Sequence, residues 1–157
     1  MEKREMPRPG VEHERIGRLA GQWAGEEKMM ASPQNPETFH TVARVNARMA
    51  LGGFYLLVDY EQERDGQVIY RGHGVIGWDP KAGHYTQSWF DSMGGHSAVP
   101  ATGPWEGDTL RLTHESRDHG CTRYLYVLGD GGYRMRIETS PDGHAWSPFL
   151  DGRYHKR

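Results

Sequence analysis

The sequence predicts an all-β domain: an up-and-down antiparallel barrel of about ten strands, closed at one end by a short N-terminal helix. Three observations predict it. From Trp23 onward apolar and polar residues alternate with period two, interrupted by turn signals at roughly 8–12-residue spacing. Glycine is frequent, at 21 of 157 residues, and its backbone freedom favours turns and short strands over long helices. Aromatic residues make up 11 % of the chain, and an open sheet covered by one short helix would leave most of them in water.

The elements follow in order. Residues 1–8 are charged and contain Pro7, so a flexible start is expected, followed by one barrel domain over residues 9–157. Pro9 to Ala20 places Val11, Ile16, Leu19 and Ala20 near one helical face, with Glu12 and Glu14 early and Arg18 late, as the helix dipole favours. Strands are expected over Trp23–Met30, Phe39–Met49, Phe54–Glu63, Val68–Trp78 and Tyr85–Ser92. Arg64-Asp65-Gly66-Gln67 and Asp79-Pro80-Lys81-Ala82-Gly83 are hairpin turns between them. The second half continues with Ser97–Trp105, Leu110–Ser116, Thr122–Leu128 and Tyr133–Thr139, then a last strand ending at Gly152-Arg153-Tyr154-His155. Its turns are Glu106-Gly107-Asp108, Asp118-His119-Gly120, Gly129-Asp130-Gly131-Gly132 and Ser140-Pro141-Asp142-Gly143.

Composition excludes several classes. Lys plus Arg (19) nearly balances Asp plus Glu (21), so bulk charge supports neither nucleic acid nor an anionic membrane as a partner. Mean hydropathy is −0.82 and no run approaches the ~20 apolar residues of a membrane span. The Met-Glu-Lys-Arg start lacks the apolar stretch of a signal peptide, and the chain reads as cytoplasmic. A lone cysteine, Cys121, rules out an internal disulfide and any CxxC motif.

Four ordered segments carry a resemblance. LAGQWAGEE (Leu19–Glu27), ALGGFYLLVDYE (Ala50–Glu61), GHGVIGWDP (Gly72–Pro80) and YTQSWFDSMG (Tyr85–Gly94) together resemble the DUF1579 family. The resemblance covers residues 9 to about 95; beyond Ala98 it rests on length and the late Asp-Gly-x-x-Trp turn. It implies a calycin-like barrel, similar in architecture to lipocalins, fatty-acid-binding proteins and nitrobindins. It also implies that Trp23, in the Gly-x-Trp opening, plugs the closed end beneath the helix. No activity is implied, because the family is named for its unknown function.

Several chemistries can be weighed on the residues. Gly72-His73-Gly74-Val75-Ile76-Gly77 fits GxGxxG, but a turn follows it where a dinucleotide site needs a helix; these glycines are expected to let a strand bend at a barrel corner. Nine histidines occur without an HxH or HExxH spacing, so no zinc site is expected. His155 on the last strand keeps haem as an alternative, because nitrobindin-like barrels hold haem through a histidine of a late strand. Cys121 has His119 two residues before it, but no Asn or Asp orients the pair, so a nucleophilic role has little support.

Strand alternation is more informative. Trp89 and Asp91 share a face of their strand with Tyr85 and Gln87; Leu110, Leu112 and His114 share a face of theirs, and Tyr124 and Tyr126 of the next. Trp89 is too large and apolar for the outside, so that face is expected to point inward. The expected site is a cavity lined by Trp89, Asp91, His114, Tyr124 and Tyr126, suited to a small apolar or aromatic ligand. Asp91 carried inward must be hydrogen-bonded, paired or neutral, with Arg71 and Arg136 as candidate cations. A carrier or sensor needs only this cavity. An enzyme of the cyclase, isomerase or decarboxylase type would add an acid or base from Asp91, His114 or Tyr124. A haem protein needs an inward histidine. The reading leaves room for a homodimer.

Overall fold

The computed structural model describes residues 4–96, 98–116 and 120–157. It holds a closed, ten-stranded antiparallel barrel with one short helix. The helix, α1 (Val11–Gly17), is followed by β1 (Gly21–Met29), β2 (Phe39–Ala50), β3 (Tyr55–Arg64), β4 (Gln67–Asp79) and β5 (His84–Asp91). Then come the short β6 (Ala101–Gly103) and β7 (Trp105–Glu106), and β8 (Thr109–Ser116), β9 (Gly120–Gly129), β10 (Gly132–Ser140) and β11 (Ser147–Lys156). Chain neighbours pair as hairpins from β1 to β6 and from β8 to β11, and β1 pairs with β11. The ring closes where β6 meets β8, through Thr102 opposite Thr113, while β7 lies alongside β8 as a two-residue spur.

Two expected elements are shorter than predicted. The helix ends at Gly17; Arg18, Leu19 and Ala20 continue as single turns whose N–H groups donate to carbonyls three residues back. The expected strand Ser97–Trp105 has Ser97 outside the described residues and otherwise reduces to β6 and β7, parted by Pro104, which has no N–H for a ladder. The Arg64–Gln67 hairpin turns as expected, with Asp65 and Gly66 at φ 52° and 78°. The turn expected at Asp118-His119-Gly120 lies mostly outside the described residues. Among the described residues, no helix is long and apolar enough to cross a membrane.

Period-two burial fills the barrel from one end. Ile16 and Leu19 seal a cluster formed by Leu56, Ile76, Tyr85, Leu110 and Leu112, all buried. Tyr85, 1 % exposed, donates its hydroxyl to the Glu12 carbonyl at 3.1 Å, fastening α1 to the barrel. Trp23 is buried beside this lid, as the Gly-x-Trp resemblance implied. Its indole N–H donates to the Leu19 carbonyl at 3.0 Å, and its ring meets Tyr133 edge-on at 5.0 Å. Beyond Trp23 the interior widens.

Candidate functional site

The site is built by one face of β5 and what β4 sets against it. Tyr85, Gln87, Trp89 and Asp91 project inward, opposite Trp78, Ile76, Gly74 and Gly72 of β4. A Cβ on Gly72 or Gly74 would run into the Trp89 indole, so the two glycines let the ring lie flat against the sheet. The sequence places these glycines at an expected strand bend; at Gly72 and Gly74 the structure adds the clearance for a ring. None of Gly72, Gly74 and Gly77 has a positive φ; Gly77 clears space for the Tyr55 ring on the other face.

Past the helix-capped core lies a cavity of about 460 Å³. Its outer lining comes from Asp91 at the end of β5, Thr122 at the start of β9, Thr139 near the end of β10 and Met29 at the end of β1, so it occupies the half of the barrel away from α1. Of the residues expected from the sequence, Trp89, Asp91, Tyr124 and Tyr126 line it. His114 does not: it is half-buried on β8 opposite Thr122 and stays outside the lining. Six of the eight tyrosines contribute to the wall, Tyr60, Tyr70, Tyr124, Tyr126, Tyr133 and Tyr154. Their rings touch in two groups. Tyr60 meets Tyr70 and Trp89 edge-on at 5.9 and 6.0 Å, and Tyr133 stacks on Tyr154 at 4.8 Å.

Three hydrogen-bond systems fix these side chains. In the first, Trp89 Nε1–H donates to the Tyr70 hydroxyl at 2.7 Å, and that hydroxyl donates to Asp91 Oδ2 at 3.1 Å. Asp91 Oδ1 accepts the backbone N–H groups of Met93 and Gly95 at 3.0 and 3.1 Å. Asp91 is therefore held by dipoles. Neither expected cation reaches it: Arg71 pairs with Glu61 on the outside at 3.2 Å, and Arg136 belongs to the outward set of β10, its Nε buried without a partner. Burial raises the Tyr70 hydroxyl's pKa, and the nearby Asp91 charge raises it further. In the second system, the buried Tyr126 hydroxyl donates to Gln87 Oε1 at 2.6 Å across the barrel, and burial raises its pKa as well.

The third system was not foreseen. Glu27, 2 % exposed, points inward from β1 and accepts hydrogen bonds from Thr41 Oγ1 (3.0 Å), Tyr60 (2.6 Å), Gln62 Nε2 (3.1 Å) and the Tyr154 hydroxyl. No cationic side chain pairs with it among the described residues. Burial and the Glu27 charge together push the Tyr60 and Tyr154 pKa values well up, so both hydroxyls stay protonated and remain donors. Tyr60, Gln62 and Tyr154 line the cavity, which sets the Glu27 carboxylate directly behind its wall. The inward alternation of Trp23, Gly25, Glu27 and Met29 was the signal that could have found it.

Among the described residues no histidine and no metal-ligand cluster faces the cavity. His155 lies exposed on the outer face of β11, out of phase with the inward Tyr154, and no histidine lines the cavity among the described residues. The residues present do not fit a histidine-held haem. No group of three or more His, Cys, Asp or Glu could hold a metal ion among the described residues. Cys121 alternates with the cavity-lining Thr122 and so faces the other way, and His119 lies outside the described residues.

Fold and site together define a class: a closed antiparallel barrel, lidded by a helix at one end and hollow and aromatic in the other half. The chain belongs to the DUF1579 family, described as a protein of unknown function, whose model matches residues 8–156. The barrel is consistent with the calycin-like fold that the sequence resemblance implied. Among solved structures it is similar to the crystal structure of Rv2717c from M. tuberculosis, at TM-score 0.72 and 14 % identity. That likeness covers 94 % of this chain and 98 % of the other and establishes a shared fold. No curated protein matches the sequence.

Proposed function

We propose that the protein binds a small, largely apolar or aromatic molecule inside the barrel, as a carrier or sensor. The observation that carries this reading is the cavity of about 460 Å³, walled by aromatic rings whose few polar groups are already oriented. A volume in this range suits a small organic ligand, with apolar walls supplying affinity and fixed dipoles supplying orientation. Rings held by internal hydrogen bonds lose little further entropy when a ligand arrives. Trp89, Tyr124 and Tyr126 are the proposed contact surface and Asp91 the polar anchor, while His114 drops out of the set.

A second reading, an enzyme of the cyclase, isomerase or decarboxylase type, draws on Asp91 bordering the cavity with Tyr124 in its field. Both Asp91 oxygens are already held by donors, which suits an anchor better than a group exchanging protons.

Titration with a neutral, environment-sensitive apolar dye tests the binding reading. The wild-type protein is expected to bind it with enhanced emission, and Trp89→Ala to bind it about tenfold more weakly. Unchanged affinity in folded Trp89→Ala and Tyr124→Ala variants would place binding elsewhere and overturn the assignment.

A further inference from the structure

The charge of the cavity is one-sided. Asp91 lines it and Glu27 lies directly behind Tyr60 and Tyr154, yet no Lys, Arg or His lines it among the described residues. Among the described residues neither carboxylate is balanced by a cation; each is held by hydroxyl, amide or backbone N–H donors. Many of the wall's donor hydrogens are already committed within the protein. The Trp89 N–H and the Tyr60, Tyr70, Tyr126 and Tyr154 hydroxyls all donate to protein acceptors, so the donors closest to the two carboxylates are spent on them and on each other. An anion would meet the Asp91 carboxylate, with that of Glu27 behind the wall, and no cationic side chain to offset them among the described residues. A cation would meet electron-rich ring faces and two negative charges in a partly desolvated space, where both attractions strengthen. The same field is felt by the wall itself: after burial, Asp91 is a cause of the raised Tyr124 pKa, and Glu27 contributes to that of Tyr133.

We propose that the ligand is an organic cation, a hydrophobic amine or quaternary ammonium compound, whose charged nitrogen sits among the tyrosine and tryptophan rings near Asp91 and Glu27. This rests on the binding reading above and specifies the class of molecule bound. Surface attraction alone does not account for such a preference, since the chain's net charge is only −2.

The test uses three compounds with one aromatic body: a naphthylmethyl trimethylammonium, its neutral neopentyl isostere, and a naphthalene sulfonate. Affinities are measured by calorimetry on wild type, Asp91→Asn and Glu27→Gln. The ammonium compound is expected to bind wild type about tenfold more tightly than the isostere, with the sulfonate weakest. The ammonium-to-neutral ratio is expected to fall several-fold in Asp91→Asn and also in Glu27→Gln. Taking the ratio within each variant separates charge from any general loosening, and Asp91→Asn decides alone if Glu27→Gln does not fold. Equal binding of the first two compounds, tightest binding of the sulfonate, or a ratio unmoved by both substitutions overturns the cation proposal and leaves the pocket standing. Failure of all three to bind overturns both readings.

Discussion

The Trp89 indole occupies the space that a side chain on Gly72 would need. Gly72 pairs with Asp91, two residues beyond Trp89 on β5, and the ring lies across the bare backbone. Ring and glycine form one unit, so the cavity wall depends on a residue that contributes no side chain to it.

Gly72→Ala should therefore act through Trp89. The added methyl forces the ring off its seat and disturbs the indole bond to Tyr70, at about 1–3 kcal/mol for overpacking. Chemical denaturation gives the cost, and dye titration should show weakened binding in the same variant. Wild-type values in both measurements would show that the ring has room to spare.

Trp23→Ala should cost about 3–5 kcal/mol as a large-to-small change in the core. The variant loses the bond to the Leu19 carbonyl, the contact with Tyr133 and the ring beneath the Lys156 ammonium. A loss under about 1 kcal/mol in urea denaturation would mean that Trp23 is not the support of the closed end.

Glu27→Gln should destabilise far more than Glu26→Gln, whose exposed side chain lies on the other face of β1. An amide has only one acceptor oxygen and brings two hydrogens of its own among the Thr41, Tyr60, Gln62 and Tyr154 donors. Each buried donor left unpaired costs about 1–3 kcal/mol. Paired thermal melts of the two variants check the contrast; equal shifts would argue against the hub.

The tyrosines predict an alkaline limit. Folding raises the pKa values of Tyr60, Tyr70, Tyr126, Tyr133 and Tyr154, chiefly by burial. A group whose folded pKa exceeds its unfolded value stabilises the fold fully below the unfolded value, about 10 for tyrosine, and loses that contribution as pH rises beyond it. Stability should be flat in this respect at neutral pH and fall steeply in strong alkali. Tyrosinate absorbance is expected to grow together with the loss of the β-sheet circular dichroism signal. Ionisation of these tyrosines with the barrel signal intact would contradict their burial.

Much of this was legible in the chain, because alternation is a local property. Trp89 and Asp91 could be placed on one inward face of β5, and Tyr124 and Tyr126 on one face of β9, from neighbours two positions apart. Partners were not legible. Asp91 was expected beside Arg71 or Arg136, yet it is served by Tyr70 and by the turn that follows it. The Glu27 hub joins residues 14, 33, 35 and 127 positions away, so barrel closure alone assembles it. The glycines of β4 were visible as a pattern, but their purpose depends on a ring carried by the next strand. Local signals told inside from outside. Register and closure decided who meets whom.

The joint between β6 and β8 has a mechanical consequence. Most staves are sewn together over many registered residues and β6 is held to β5 by three, but the described pairing of β6 with β8 is Thr102 against Thr113. Arg111 N–H adds a stitch to the Pro104 carbonyl, and Gly103 lies so close to the Arg111 backbone that a Cβ there would collide with it. Rupture at this seam breaks the fewest registered pairs of the ring, so the hoop should unzip there first and bare the edges of β6 and β8. Amide protons of Ala101–Gly103 should then exchange with solvent sooner than those of β2 or β3, and the stave bearing Trp89 and Asp91 stands one strand in from that opening, behind the three-residue β6.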